Sequence, residues 1–253
     1  MTVRFYAHNL TDKATITTSS ENAEFPASNI LDNRRTKVFR STSNSTSIVF
    51  DFGTFQEIDS FAIVGHTFYG FGFTSIKLEF NNTNSWTTPA FSQTLTPDFE
   101  FDFCNFEFSN VQNYRYARLV LTNTEGYCEI SNVFFGKRTQ FVDTDYSYPL
   151  GFRYKNLGTI NKNRYGQKFV DEITSQKLLD GKIDYIASSN IDEYFSMTDL
   201  LSTTVPFFVV FDSITIMGNM NRMNGMYYFS DESDPKLQSG NYWTDVHKLE
   251  EAM

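Results

Sequence analysis

The side chains of this chain best suited to acid–base or metal chemistry near neutral pH are three histidines, His8, His66 and His247, and they are scattered. None has a cysteine, a glutamate or a second histidine at ligand spacing, so neither a zinc site nor a His-Glu-x-x-His helix is written here. Carboxylate pairs come next, because glycoside hydrolysis needs two carboxyls facing one cleft. Glu100 with Asp102, and Asp231 with Glu232 and Asp234, have the right residue types. Their setting, an alternating strand and a polar loop, fits solvent-facing charge better. No nucleophile elbow, Walker A loop or dinucleotide fingerprint occurs, and Gly70-Phe71-Gly72 reads as a turn. The expectation is no enzyme, with no catalytic residue, no cofactor and no metal.

One basic cluster stands out in an otherwise acidic chain: Arg34, Arg35, Lys37 and Arg40. Exposed arginines give bidentate contacts and steer association, so these four are the candidate docking residues for an acidic partner. The competing reading is structural. Alternating Arg, Lys and Phe would make an edge strand whose charges block unwanted pairing.

The elements that must position these residues read as strands. Ile76, Leu78 and Phe80 alternate with Ser75, Lys77 and Glu79, which predicts a half-buried strand with Glu79 outward. Ile48–Phe52 ends at Gly53, and Ile58–Val64 follows as a second, doubly covered strand ending at Gly65. Phe99, Phe101 and Phe103 share one face, and Phe106 and Phe108 fall out of phase, which places a bulge at Cys104-Asn105. Asp143-Thr144-Asp145 and Tyr148-Pro149-Leu150-Gly151 read as a connector. Beyond it, strands are predicted near Lys168–Thr174 and Leu178–Ile186. A short helix near 190–201 follows, with Asn190 and Glu193 as a capping box and Ile191, Tyr194, Phe195 and Thr198 on one face. Pro206 opens a central strand over Phe207–Phe211, Gly225–Phe229 resumes strand character, and Tyr242–Leu249 closes the sheet. The fold class is therefore all-β, with domains at 1–140 and 141–253.

Composition agrees with that class and excludes others. Aromatics make up 17% of the 253 residues, with 27 Phe and 14 Tyr, and such side chains favour pleated, half-buried surfaces. A net charge of -9 opposes a nucleic-acid partner, whose capture rests on cationic side chains. The sequence opens Met1-Thr2-Val3-Arg4-Phe5-Tyr6, with no signal-peptide pattern, and no stretch reaches the ~20 apolar residues of a membrane span, so no membrane insertion is expected. Cys104 and Cys128 are expected as free thiols.

Phe25-Pro26-Ala27-Ser28-Asn29-Ile30-Leu31, Lys37-Val38-Phe39-Arg40-Ser41, Ile48-Val49-Phe50-Asp51-Phe52-Gly53, Ile58–His66, Tyr116–Leu121 and Ile130–Gly136 together resemble the galactose-binding-like (discoidin, F5/8 type C) jelly roll. More closely, they resemble its version in structural proteins of tailed-phage virions. The resemblance implies a β-sandwich over about residues 1 to 140, in which Pro26 and Asn29 shape a loop whose Phe25, Ile30 and Leu31 plug one end. The segment from the short helix to Pro206–Asp212 resembles a companion β-rich module of phage minor structural proteins.

Two functions follow from the resemblance. The leading one is a non-enzymatic structural component of a phage tail, tail tip, baseplate or fibre attachment, assembled in the host cytoplasm from copies of itself and other virion proteins. The alternative is a carbohydrate-binding adsorption module that grips a host surface glycan. Its candidate contacts are His66, Phe68, Tyr69, Phe71 and Trp86.

Overall fold

The computed structural model describes residues 3–65, 73–96, 101–124, 126–139, 146–162, 164–165, 167–171, 174–201, 203–211, 223–231, 234–239 and 242–252. The chain forms two units, residues 5–139 and residues 1–4 with 140–253. Both are built almost wholly of antiparallel strands.

The first strand, β1 (Val3–Tyr6), leads into the N-terminal unit, which contains β2 (Thr15–Thr18), β3 (Phe39–Arg40), β4 (Ser45–Val64), β5 (Phe73–Asn81), β6 (Phe91–Leu95), β7 (Phe103–Asn123), β8 (Glu129–Ile130) and β9 (Asn132–Gly136). Strands β4 and β7 run the length of the unit as one antiparallel pair and serve two layers. Their outer halves, about Ser45–Asp51 against Tyr116–Thr122, carry β2 on one side and β5 and β6 on the other. Their other halves, Ser60–Val64 against Phe103–Glu107, carry β9. The two predicted strands at 48–52 and 58–64 are thus one strand. It bends where the register shifts between Asp51 and Gln56, at Gly53 with φ of +77°.

The layers meet through aromatic rings. Phe135 of β9 lies 5.1, 5.7, 5.0 and 6.0 Å from Phe50, Phe52, Phe61 and Phe80, mostly edge to face. Ile76, Leu78 and Phe80 point into this core and are fully buried, in the phase that the alternation predicts.

Several local readings differ in the structure. Cys104 and Asn105 pair regularly with Ile63 and Ala62, and the β7 irregularity falls instead between Glu107 and Gln112. Slack is taken up in that polar stretch, where losing ladder bonds costs least. Phe99 and Glu100 lie outside the described residues. Of residues 34–40 only Phe39 and Arg40 are in a strand, paired with Ile130 and Glu129, so Arg34, Arg35 and Lys37 are loop residues and the alternating strand is not formed.

The second unit contains β10 (Tyr146–Asn156), β11 (Thr159–Lys162), β12 (Lys168–Asp171), β13 (Ser175–Ala187), helix α1 (Ile191–Leu200), β14 (Phe207–Phe211), β15 (Gly225–Phe229), β16 (Lys236–Ser239) and β17 (Tyr242–Glu251). The sheet order is β1-β14-β15-β17-β13-β10, with β16 also on β17, and β11 and β12 form a separate hairpin. Tyr148–Gly151, predicted as connector, belongs to β10, where an irregularity between Ser147 and Gly151 accommodates Pro149. Asp143–Asp145 lie outside the described residues. Tyr242–Leu249 does not close the sheet. It pairs with β13, β15 and β16 and so lies inside it.

Helix α1 starts without a side-chain cap, because Asn190 already belongs to a 3₁₀ turn (Ser188–Asn190) that runs into it. Its buried face is Tyr194 and Met197, and Phe195 is exposed. The described helix is far too short to cross a membrane.

Candidate functional site

In the N-terminal unit the strands end at two unlike poles. At one, the unit's termini close the sandwich: Phe5 and Thr139 exchange backbone hydrogen bonds of 3.0 and 2.7 Å. Beside them Glu107 accepts from the Tyr6 hydroxyl at 2.9 Å and from Arg138 Nη1 at 2.8 Å. Gly136 is needed here, since a Cβ would sit 1.9 Å from the His8 carbonyl oxygen. Packed backbone and paired charge leave little for a ligand.

The other pole is made of long loops. Residues 19–44 and the β7–β9 connection cross it and are stitched together: Ser41 N–H to Cys128 O at 2.9 Å, Asn123 N–H to Asn44 O at 2.7 Å, and Asn132 Nδ2 to Asp32 O at 2.7 Å. Gly65, with φ of +68°, gives its N–H to Asp102 O at 2.7 Å, and its bare Cα faces Ser131. Within the 19–44 loop, Ala27–Leu31 forms a 3₁₀ helix after Pro26, and Asn29 Nδ2 donates to Val38 O at 2.8 Å. Ala27 and Ile30 plug the core. Leu31 does not, being turned outward by the three-residue pitch.

All four residues of the basic cluster come to this loop pole. Arg34 donates from Nε to Asp32 at 2.9 Å and pairs with it again through Nη2 at 2.6 Å. Its guanidinium holds the Asp32 carboxyl well below the usual carboxylate range, with Lys37 adding to the field. Arg35 pairs with Asp102, and Lys37 is exposed. Arg40 donates from Nε to Glu129 at 2.7 Å, and its guanidinium carbon lies 4.2 Å from the Phe25 ring centre and 4.5 Å from that of Tyr127. Tyr127 is 37% exposed and follows Gly126, whose φ of +72° turns the chain outward after β7. An exposed ring, a guanidinium and a carboxylate therefore adjoin one another at the loop pole.

The predicted glycan contacts fare differently. His66, Phe68, Tyr69 and Phe71 lie outside the described residues. Trp86 sits on the β5–β6 connection, which leaves β5 at Asn81, opposite Tyr116, at the far end of its sheet from Tyr127. It stacks on Arg118, 4.6 Å from ring centre to guanidinium carbon, and its indole N–H is held by Asn84 at 2.7 Å. Arg118 in turn donates from Nε to Glu79 at 2.7 Å, and Lys77 pairs with the same carboxylate at 2.6 Å. Glu79, predicted to face solvent, is 1% exposed because these cations and the loop cover it.

Sequence reasoning passed over Tyr127 and Glu129. The available signal was the Gly126-Tyr127 step, a turn glycine followed by an aromatic directly after a predicted strand.

Residues 15–134 match the family model of the F5/8 type C domain. Solved structures similar to the chain include chitosan-binding module 1 of a chitosanase/glucanase from Paenibacillus sp. IK-5, at 20% identity and a TM-score of 0.41, covering 51% of this chain and 99% of that one. A Streptococcus pneumoniae fucose-binding module matches at 12% identity and 0.44, covering 51% and 98%. The family 32 carbohydrate-binding module of NanJ from C. perfringens, in complex with galactose, matches at 16% and 0.42, covering 54% and 99%. No curated protein matches the chain.

Among the described residues no group of three His, Cys, Asp or Glu side chains is placed to hold a metal ion. His247 is buried in the second unit and His8 is exposed on the first. Asp231 is committed to Lys248 at 2.6 Å and Asp234 to Lys236 at 3.2 Å, and Glu232 lies outside the described residues.

Proposed function

We propose that the N-terminal unit is a non-catalytic carbohydrate-recognition module that takes a glycan at its loop pole. The carrying observation is the Arg40 cluster on an F5/8 type C framework: the exposed Tyr127 ring offers a face for the C–H bonds of a pyranose, beside a donor in Arg40 and an acceptor in Glu129. Ring stacking with a few directed polar groups is how a protein captures a hydroxyl-rich, weakly hydrophobic ligand. A glycan array probed with the full chain, and repeated with Tyr127→Ala, tests this. Binding that vanishes in the variant supports the reading, and an array with no signal removes it.

A second reading concerns what the module is attached to. Tyr165, Tyr185, Tyr242, Leu237 and Val246 of the second unit are exposed, and surplus apolar surface is what subunit interfaces are made from. This favours the second unit as an assembly element, in keeping with the phage-tail resemblance of its sequence. The whole chain would then be a virion tail component, built in the host cytoplasm, that displays a glycan-binding module. Labelling of tail particles by antibody against the second unit tests it, and unlabelled tails would count against it.

A further inference from the structure

An anionic ligand is held by cations whose charge is not already neutralised, because a carboxylate, sulfate or phosphate gives up strong hydration on binding. At the loop pole every described arginine is already matched, and the exposed Lys37 stands in the field of the Asp32 carboxylate, whose pKa it helps to lower. Arg34 is held by Asp32, Arg35 by Asp102, and Arg40 by Glu129 through both Nε and Nη2. Residues 21–44, 101–103 and 126–132 hold four Lys and Arg against five Asp and Glu, in a chain of net charge -9. A ligand carboxylate approaching Arg40 would meet Glu129 on the same guanidinium.

Paired charge is nonetheless useful chemistry. An Arg–Glu pair offers N–H donors and carboxylate acceptors side by side, which suits neighbouring hydroxyls that each donate and accept. Tyr127, 4.5 Å from the same guanidinium, supplies the stacking face. We infer that the ligand of this pole is an uncharged oligosaccharide, and that sialylated or sulfated glycans and anionic lipid headgroups are rejected. This rests on the carbohydrate reading above and adds the selection rule to it.

The test is an array of neutral oligosaccharides beside their sialylated and sulfated counterparts, with phosphatidylserine-containing phosphatidylcholine vesicles in parallel, probed with the full chain at low salt. Neutral members should bind at least roughly tenfold better than their acidic partners, the worth of one charge-assisted contact. Glu129→Gln, which leaves Arg40 its full charge, should narrow that ratio. Acidic members binding as well as neutral ones would overturn the inference and leave the carbohydrate reading standing. Capture by vesicles alone, or by nothing, would overturn both. A ratio unmoved by Glu129→Gln would overturn the role given to the Arg40–Glu129 pair.

Discussion

The guanidinium carbon of Arg40 lies 4.5 Å from the centre of the Tyr127 ring, although one residue precedes β4 and the other follows β7. The pairing of those two long strands brings the loops together and leaves the Tyr127 ring 37% exposed. Tyr127→Ala should therefore cost little stability, about 0.5–1 kcal/mol from the lost cation–π contact. A thermal midpoint within a few degrees of the parent checks this, and a large fall would mean that Tyr127 is core.

Phe135 is the opposite case, fully buried with four phenylalanine rings around it. Phe135→Ala should destabilise the N-terminal unit by about 3–5 kcal/mol through lost transfer energy and an unfilled cavity. Urea unfolding followed by near-UV circular dichroism measures it.

The buried carboxylate of Glu79 neutralises Arg118 and Lys77 on the outer face of its sheet. Glu79→Ala strands two cations and should cost about 1–3 kcal/mol. The double variant Glu79→Leu with Arg118→Met should recover most of that loss, since removing both partners leaves no uncompensated charge. A double variant as unstable as the single one would point to packing by Trp86 instead.

Acid stability should depend on Asp51. Arg115, bonded to it through Nε and Nη2 at 2.8 and 2.9 Å, and the Gly53 N–H bring its carboxyl down to about 2. A pKa depressed in the folded state stabilises above the ordinary value of 3.8, and that contribution is lost as pH falls from there toward 2. Asp51→Asn should flatten the stability profile in that window and leave its shape above pH 5 unchanged, as read from urea midpoints across pH.

Burial pushes the Cys104 and Cys128 thiols up to about 12 and about 11, so both stay protonated and shielded near neutrality. Iodoacetamide at pH 8 should label neither in the folded chain and both in urea, as counted by intact mass. Rapid labelling of the folded protein would contradict the burial.

The all-β class was legible because alternation is local: Ile76, Leu78 and Phe80 declare their face without help from the rest of the chain. The bend that makes one strand of residues 45–64 was not, since Gly53 looks the same as a strand end. Glu79 was misplaced for a related reason. Its phase is outward, but the cations that bury it come from neighbouring strands and a loop. The candidate site was half legible: Arg40 stood out by charge in an acidic chain. Glu129 reaches it through the pairing of β3 with β8, which carries Tyr127 alongside, and Phe25 through a backbone hydrogen bond within the loop, and no spacing along the chain encodes either.

The central claim, that a glycan binds at the loop pole, is tested most directly by titrating the isotope-labelled full chain with an array-selected neutral oligosaccharide and following amide and side-chain resonances. The account predicts saturable shifts at Arg40, Gly126 and Tyr127, with the Trp86 indole resonance unmoved. Shifts centred on Trp86 and the β5–β6 connection, with Arg40 and Tyr127 silent, would contradict it.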